Sequence, residues 1–186
     1  KNFLKSEFFY NSKINFTENI LKKNNNDEAI VFYSEKNKRR KITWNQLEKK
    51  INIFSNYLLK IGIKKGDRVA AVLPNIPETV ISFLSVAKIG AIWSSCSSDF
   101  GSKAVIDRFG QINPKILIVT DYYFYNNNKI NTLEDVKEIK SKIKSIKEVI
   151  IFSFNLSKKK YNINFKFKNW LSIINSKEVK NDFKEF

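Results

Sequence analysis

Three short apolar runs constrain the fold of this chain more than any other feature: Arg68 to Leu73 (RVAAVL), Lys115 to Thr120 (KILIVT) and Glu148 to Phe152 (EVIIF). Each run is nearly continuous instead of alternating, so apolar side chains leave the extended backbone on both sides. A strand of that kind is stable only when both of its faces are covered, as in a parallel sheet between layers of helix. The intervening segments supply the covering. Glu78 to Ile89 places Val80, Ile81, Phe83, Leu84 and Ala87 at helical spacing and stops at Gly90, Ser102 to Ile112 reads as a helix, and Thr132 to Ile146 reads as one laced with Lys and Glu. Ala91 to Ser95 fits a further strand. This alternation predicts an α/β fold, a mostly parallel sheet with helices on both faces.

The flanking segments are read the same way. Asn15 to Leu21 is a short helix with Ile14, Phe16, Ile20 and Leu21 as its apolar contacts, ended by Asn24-Asn25-Asn26. Glu28 to Ser34 and Arg39 to Trp44 form a hairpin around the polar turn Glu35 to Lys38. Trp44 to Lys60 carries Leu47, Ile51, Phe54, Tyr57 and Leu58 at helical spacing, with Thr43 placed to cap it and Gly62 near its end. Lys64 to Asp67 is a turn, and Pro74 and Pro77 punctuate a loop. Asn126 to Lys129 and Lys158 to Lys160 read as loops, and Asn169 to Ile174 as a short helix. The resulting division is a helical lead-in over 1–27, an α/β subdomain over 28–155 and a connecting segment over 156–186.

Composition narrows the function classes. No apolar run approaches the roughly 18 residues of a membrane span, and Lys1 to Tyr10 show no secretory pattern, so no membrane partner and a cytoplasmic setting are expected. Cys96 is the only cysteine and histidine is absent. Within this chain that excludes an internal disulfide, a zinc cluster and a Ser-His or Cys-His nucleophile pair. The net charge of +16 suggests a nucleic-acid surface, but all but four of the 34 basic residues are lysine. Base recognition favours the bidentate guanidinium, and the excess is spread along the chain with residues 61–120 carrying the least of it. A solvated basic surface is the expectation, with no nucleic-acid partner.

Family motifs occupy the middle of the chain. Gly66 to Glu78 (GDRVAAVLPNIPE) is a turn, a buried strand and a proline-limited loop entering a helix, and it resembles a stretch early in the adenylate-forming superfamily of acyl-CoA synthetases, luciferases and nonribosomal adenylation domains. Ile92 to Ser97 (IWSSCS) followed by Asp99-Phe100-Gly101 is similar to the acetoacetyl-CoA synthetase branch. Asp107 to Lys115 and Ile14 to Leu21 continue the likeness, which covers roughly 14–120, while the tail after 121 matches only loosely. The fold so implied is the first subdomain of such an enzyme's large amino-terminal domain.

The resemblance implies an ATP-dependent acid–CoA ligase. Acetoacetate attacks the α-phosphate of ATP to give an acyl-adenylate and pyrophosphate, then the CoA thiol displaces AMP, with Mg²⁺ beside the phosphates. ATP, Mg²⁺ and CoA are the implied cofactors, and acetoacetate or another short acid is the implied substrate. Ser97 and Ser98 are candidate CoA contacts because that loop lies near the pantetheine arm in related enzymes; Lys129 is a third, where related acetyl-CoA synthetases place arginines on CoA phosphates. Trp93 is a candidate substrate contact. Each has a bland reading beside it: a packed aromatic for Trp93, a hydroxyl-rich loop for the serines, an Asn-rich loop for Lys129, a buried thiol for Cys96 and a structural pair for Asp107 and Arg108. No catalytic and no metal-ligating residue is assigned, since the Ser/Thr/Gly-rich phosphate loop, the ribose aspartate and the adenylation lysine do not occur in these residues. The chain is expected to be an amino-terminal piece, silent alone and partnered by the rest of its own polypeptide. Another short-chain acyl-CoA synthetase, a basic nucleic-acid module and a scaffold-like remnant are the alternatives.

Overall fold

All three runs form strands of one sheet in the computed structural model, which describes residues 11–23, 25–35, 39–154 and 161–179. The expectations for Lys1 to Tyr10, Asn24, Lys36 to Lys38 and Lys158 to Lys160 lie outside the described residues. In chain order the elements are α1 (Phe16–Ile20), β1 (Glu28–Tyr33), β2 (Arg39–Thr43), α2 (Trp44–Lys60), β3 (Arg68–Val72), α3 (Pro77–Lys88), β4 (Ile92–Cys96) and α4 (Ser102–Gly110). There follow β5 (Ile116–Thr120), β6 (Tyr122–Tyr125), β7 (Asn128–Asn131), α5 (Leu133–Lys142), β8 (Glu148–Phe152), β9 (Phe167–Asn169) and α6 (Trp170–Ile174).

The main sheet has five parallel strands in the order β4-β3-β5-β8-β9. Its side chains divide with the period of two that an extended backbone imposes. Val69, Ala71, Ile116, Ile118, Ile150 and Phe152 pack beneath α2, α3 and α6. Ala70, Val72, Leu117, Val119, Val149 and Ile151 pack beneath α4 and α5. The runs lack alternation because both faces are core.

Local chemistry fixes the connections. Thr43 caps α2 by accepting the Gln46 N–H, and the Gln46 side chain returns to the Thr43 N–H, so two otherwise orphaned donors are satisfied together. Ahead of β3 the chain turns at Gly66, whose φ of +81° is accessible to glycine without strain. Asp67 then accepts the Lys64 N–H at 2.9 Å and pairs with Lys115 at 2.6 Å. Burial pushes its carboxyl up, but Lys115, the Lys64 N–H and Arg68 outweigh that and hold it below the usual carboxylate range. Arg68 donates to the carbonyls of Ile112 and Asn113, tying the start of β3 to the turn before β5. The Gly66-Asp67-Arg68 sequence is therefore a brace between two parallel strands.

Three features differ from the sequence reading. First, the apolar residues expected to hold α1 do so only in part: Ile14 and Ile20 are largely exposed, while Phe16 meets Phe83 of α3 at 5.6 Å between ring centres and Leu21 is buried in the core. Two buried polar groups anchor it to α3: the Asn15 amide donates to the Lys88 carbonyl at 2.9 Å and the Thr17 hydroxyl to the Leu84 carbonyl at 2.7 Å. Second, Tyr122 to Asn131 is a hairpin, β6 against β7, where a loop was expected over 126–129. Its turn residues Asn126 and Asn127 have φ of 49° and 61°, the left-handed pair of a type I′ turn that asparagine tolerates. Third, β9 adds a strand beside β8, and α6 starts one residue later than expected because Asn169 serves as its cap. No helix among the described residues is long and apolar enough to cross a membrane.

Candidate functional site

Five parallel strands end on one side of the sheet, and open α/β sheets bind ligands outside those carboxyl ends, where the strand order reverses. Here β3 is followed by β4 on one side and β5 on the other, so the reversal lies at β3. The segments emerging at this rim are the Pro74 to Ile76 loop after β3, Ser97 to Gly101 after β4, the β6–β7 hairpin after β5, and Ser153-Phe154 after β8.

Ser97 and Ser98 stand on this rim in different surroundings. Ser97 is exposed, whereas Ser98 is buried and its hydroxyl has no hydrogen-bond partner among the described residues. It borders a small gap at the ends of β3 and β5, shared with Phe100, Thr132 and Asp135. A buried hydroxyl left without a partner costs about 1–3 kcal/mol, and the gap, about 10 Å³, has room for no more than a single water. Asp135 in that wall has its carboxyl pushed up by burial and by neighbouring Glu138.

Lys129 is exposed on β7, with its ammonium 4.2 Å from the centre of the Tyr122 ring, a cation–π placement at the root of the hairpin. It shares the rim with the serines through topology. Trp93 sits within β4, not beyond it. Its ring packs toward α3, 6.2 Å from Phe83, and its indole N–H donates to the Ser95 hydroxyl at 3.1 Å. Burial pushes the Cys96 thiol up, and the neighbouring Arg108 guanidinium, brought in by α4, opposes this in part. That cation was invisible from the residues adjoining Cys96. Arg108 also lies 4.9 Å from the Phe100 ring centre, linking α4 to the loop after β4.

One rim residue escaped the sequence reading. The Asp121 carboxylate, 3% exposed, accepts from the Phe154 N–H at 2.9 Å, the Tyr161 hydroxyl at 3.2 Å and the Ser153 hydroxyl at 3.3 Å. It thus locks the ends of β5 and β8 together and fastens the segment at 161 to them. An acidic residue immediately after an apolar run is the signal that could have found it. Among the described residues no group of three or more Cys, Asp or Glu side chains lies close enough to hold a metal ion.

The comparisons follow this geometry. A family model described as AMP-binding enzyme matches residues 16–182, running through the tail that the motifs matched only loosely. The acetoacetyl-coenzyme A synthetase of Rhizobium meliloti (strain 1021) is 41% identical over 143 residues, which are 77% of this chain and 21% of that protein. That of Xenopus tropicalis is 37% identical over 159 residues, 84% of this chain and 24% of the relative. Among solved structures, an acetoacetyl-CoA synthetase from Streptomyces lividans superposes with a TM-score of 0.87 at 25% identity, covering 94% of this chain and 27% of that one. An acyl-CoA synthetase from Brucella canis shares the fold, with a TM-score of 0.75 at 20% identity over 94% of this chain and 30% of that one. The chain therefore spans about a quarter or less of the length of these curated relatives.

Proposed function

The chain belongs to the AMP-binding enzyme family, matched over residues 16–182, and from that membership we propose that these residues serve as the first α/β subdomain of an ATP-dependent acid–CoA ligase acting on acetoacetate. The observation that carries the reading is the 41% identity over 143 residues to a protein named as an acetoacetyl-coenzyme A synthetase. The overall reaction is the one the resemblance implies: acetoacetate and ATP give an acyl-adenylate and pyrophosphate, and CoA then displaces AMP. A cytoplasmic setting goes with it, where the buried free thiol of Cys96 stays reduced.

Within that reading the chain contributes a platform. The five parallel strands aim their carboxyl ends at one rim, and Ser97, Ser98 and Lys129 are the residues we assign to CoA. The exposed Ser97 hydroxyl fits a polar group of the pantetheine arm, with Ser98 buried beneath it, and the exposed Lys129 ammonium fits a phosphate. Trp93 is assigned to the acyl side, as a wall held by Phe83. For Mg²⁺ the described residues offer no carboxylate cluster, so no step is routed through it from this chain. ATP phosphates likewise have no glycine-rich loop here, since the five glycines are scattered. The rest of a longer polypeptide is the partner this reading requires.

Pyrophosphate release, measured on a polypeptide of the relatives' length that carries these residues, tests the proposal with ATP, Mg²⁺, CoA and a panel of short acids. Acetoacetate is expected to give a kcat/KM at least tenfold above butyrate, and Lys129→Gln to raise the KM for CoA while leaving that for acetoacetate unchanged. Turnover confined to other acids would overturn the acyl assignment and leave the ligase class standing. The 186 residues alone are expected to form no AMP.

A further inference from the structure

A sizeable cavity lies away from every residue assigned above. It is an open groove of about 710 Å³ between β2, α2 and α6, floored by Ile42, Ile53, Trp170 and Ile174, with Arg40, Lys41, Lys49, Lys50 and a single carboxylate, Glu78, on its walls. The charges there do not balance. Glu78 is engaged by Arg40, which donates to both of its oxygens at 2.7 and 2.8 Å, and Lys41 is paired with Glu28. Lys49 and Lys50 are left in no salt bridge among the described residues, next to each other on α2 and on the wall of one groove. Lys50 is half-buried. Burial lowers the pKa of its ammonium despite the attraction of Glu78, and Arg40 and Lys49 add to the lowering. A partly desolvated ammonium beside like charges is a cost that a protein retains where an anion repays it.

We infer that this groove binds a small organic phosphate, its phosphoryl groups on Lys49 and Lys50 and its less polar part on the floor beside Trp170. The volume falls within the range of about 300–1,000 Å³ usual for small-molecule sites, and exceeds what a bare inorganic anion fills. Two adjacent lysines in no salt bridge among the described residues favour a multivalent anion over a single carboxylate, and the apolar floor favours an organic one. The inference does not depend on the ligase reading.

Calorimetric titration of the 186-residue chain with ADP, and separately with inorganic pyrophosphate at matched ionic strength, tests it. ADP is expected to bind saturably and at least tenfold more tightly than pyrophosphate, and Lys50→Met to weaken ADP at least tenfold. Lys144→Gln, an exposed lysine outside the groove, is expected to change nothing. Lys50→Met is also expected to leave the thermal midpoint unchanged or raise it, since it removes a partly desolvated charge that Arg40 and Lys49 repel; a lowered midpoint with ADP binding intact would mark Lys50 as structural and overturn the site. Absence of saturable ADP binding, or equal losses in Lys50→Met and Lys144→Gln, would overturn it too. Pyrophosphate binding as tightly as ADP would remove the organic part of the assignment.

Discussion

Tyr57 is the residue whose titration says most about how the elements are joined. From α2 its hydroxyl donates to the Glu148 carboxylate at the start of β8, and Glu148 is in turn 3.9 Å from the Lys166 ammonium. Burial pushes the Tyr57 phenol above its ordinary range and the hydrogen bond to Glu148 adds to the rise. The folded chain thus holds this proton more tightly than the unfolded chain. Stability from the pair is complete below the ordinary tyrosine value of about 10 and declines as pH rises above it, because the unfolded state then releases the proton first. Tyr57→Phe is expected to cost about 1–2 kcal/mol near neutrality. It is also expected to lessen the loss of stability that the parent chain shows above about pH 10. Urea titrations of both proteins at neutral and alkaline pH check this; parallel declines in the two would show that the phenol does not carry it. Tyr161 shifts in the same direction, from burial and from Asp121, and Tyr122 and Tyr123 are raised by burial too, so these three supply the residual alkaline contribution expected in the variant.

At the scale of elements, the short α6 depends on three buried side chains, Trp170, Ile173 and Ile174, of which Trp170 is the bulkiest. Five residues are too few to form a stable helix in water, so packing must hold them. Trp170 is 2% exposed and its ring centre lies 4.6 Å from that of Phe54 on α2. Trp170→Ala is expected to cost about 3–5 kcal/mol by denaturant titration. Faster amide exchange in 170–175 than in β5 of the same variant would show that α6 is lost before the sheet; uniform acceleration would show it is integral to the core. The same element shows where sequence was informative. β3, β5 and β8 were legible because both-face burial writes a continuous apolar run, and α2 because its caps are local. β9 was not, since Phe167, Lys168 and Asn169 carry no strand pattern and pair only because β8 presents an open edge. The β6–β7 hairpin was hidden for a different reason: Asn126-Asn127 signals a loop and a type I′ turn equally, and Tyr122 to Tyr125 has no alternation to decide between them. At the rim, the family resemblance pointed to the serines, but only the fold shows that Ser98 is buried while Ser97 is exposed. Asp121 carried only the signal of an acidic residue right after an apolar run, and the Arg40–Glu78 pair carried none, because their partners are 32 or more residues away.

For the molecule as a whole, the charge of +16 sets how it responds to salt. Among the described residues five salt bridges form, Arg40–Glu78, Lys41–Glu28, Lys115–Asp67, Lys137–Glu134 and Lys166–Glu148, so most of the described lysines are not paired with a described carboxylate. Two effects of salt then compete. Screening weakens exposed pairs such as Lys137–Glu134, each worth about 0–1 kcal/mol. It also relieves repulsion among the excess cations, which destabilises the compact state over the whole surface. The second effect involves many more charges, and the screening length falls from about 30 Å at 0.01 M to about 8 Å at 0.15 M, from the size of the molecule to that of a neighbouring side chain. Stability is therefore expected to rise across that interval by about 1–2 kcal/mol, read as an increase of roughly 2–8 °C in the thermal midpoint for a chain of this length. Sodium chloride added to the chain in dilute buffer, followed by circular dichroism, gives the answer. A midpoint that falls would mean the five ion pairs outweigh the repulsion. A midpoint that rises would support a dispersed basic surface whose repulsion is relieved by ordinary counterions, with the two unpaired lysines of the α2 groove reserved for a specific anion.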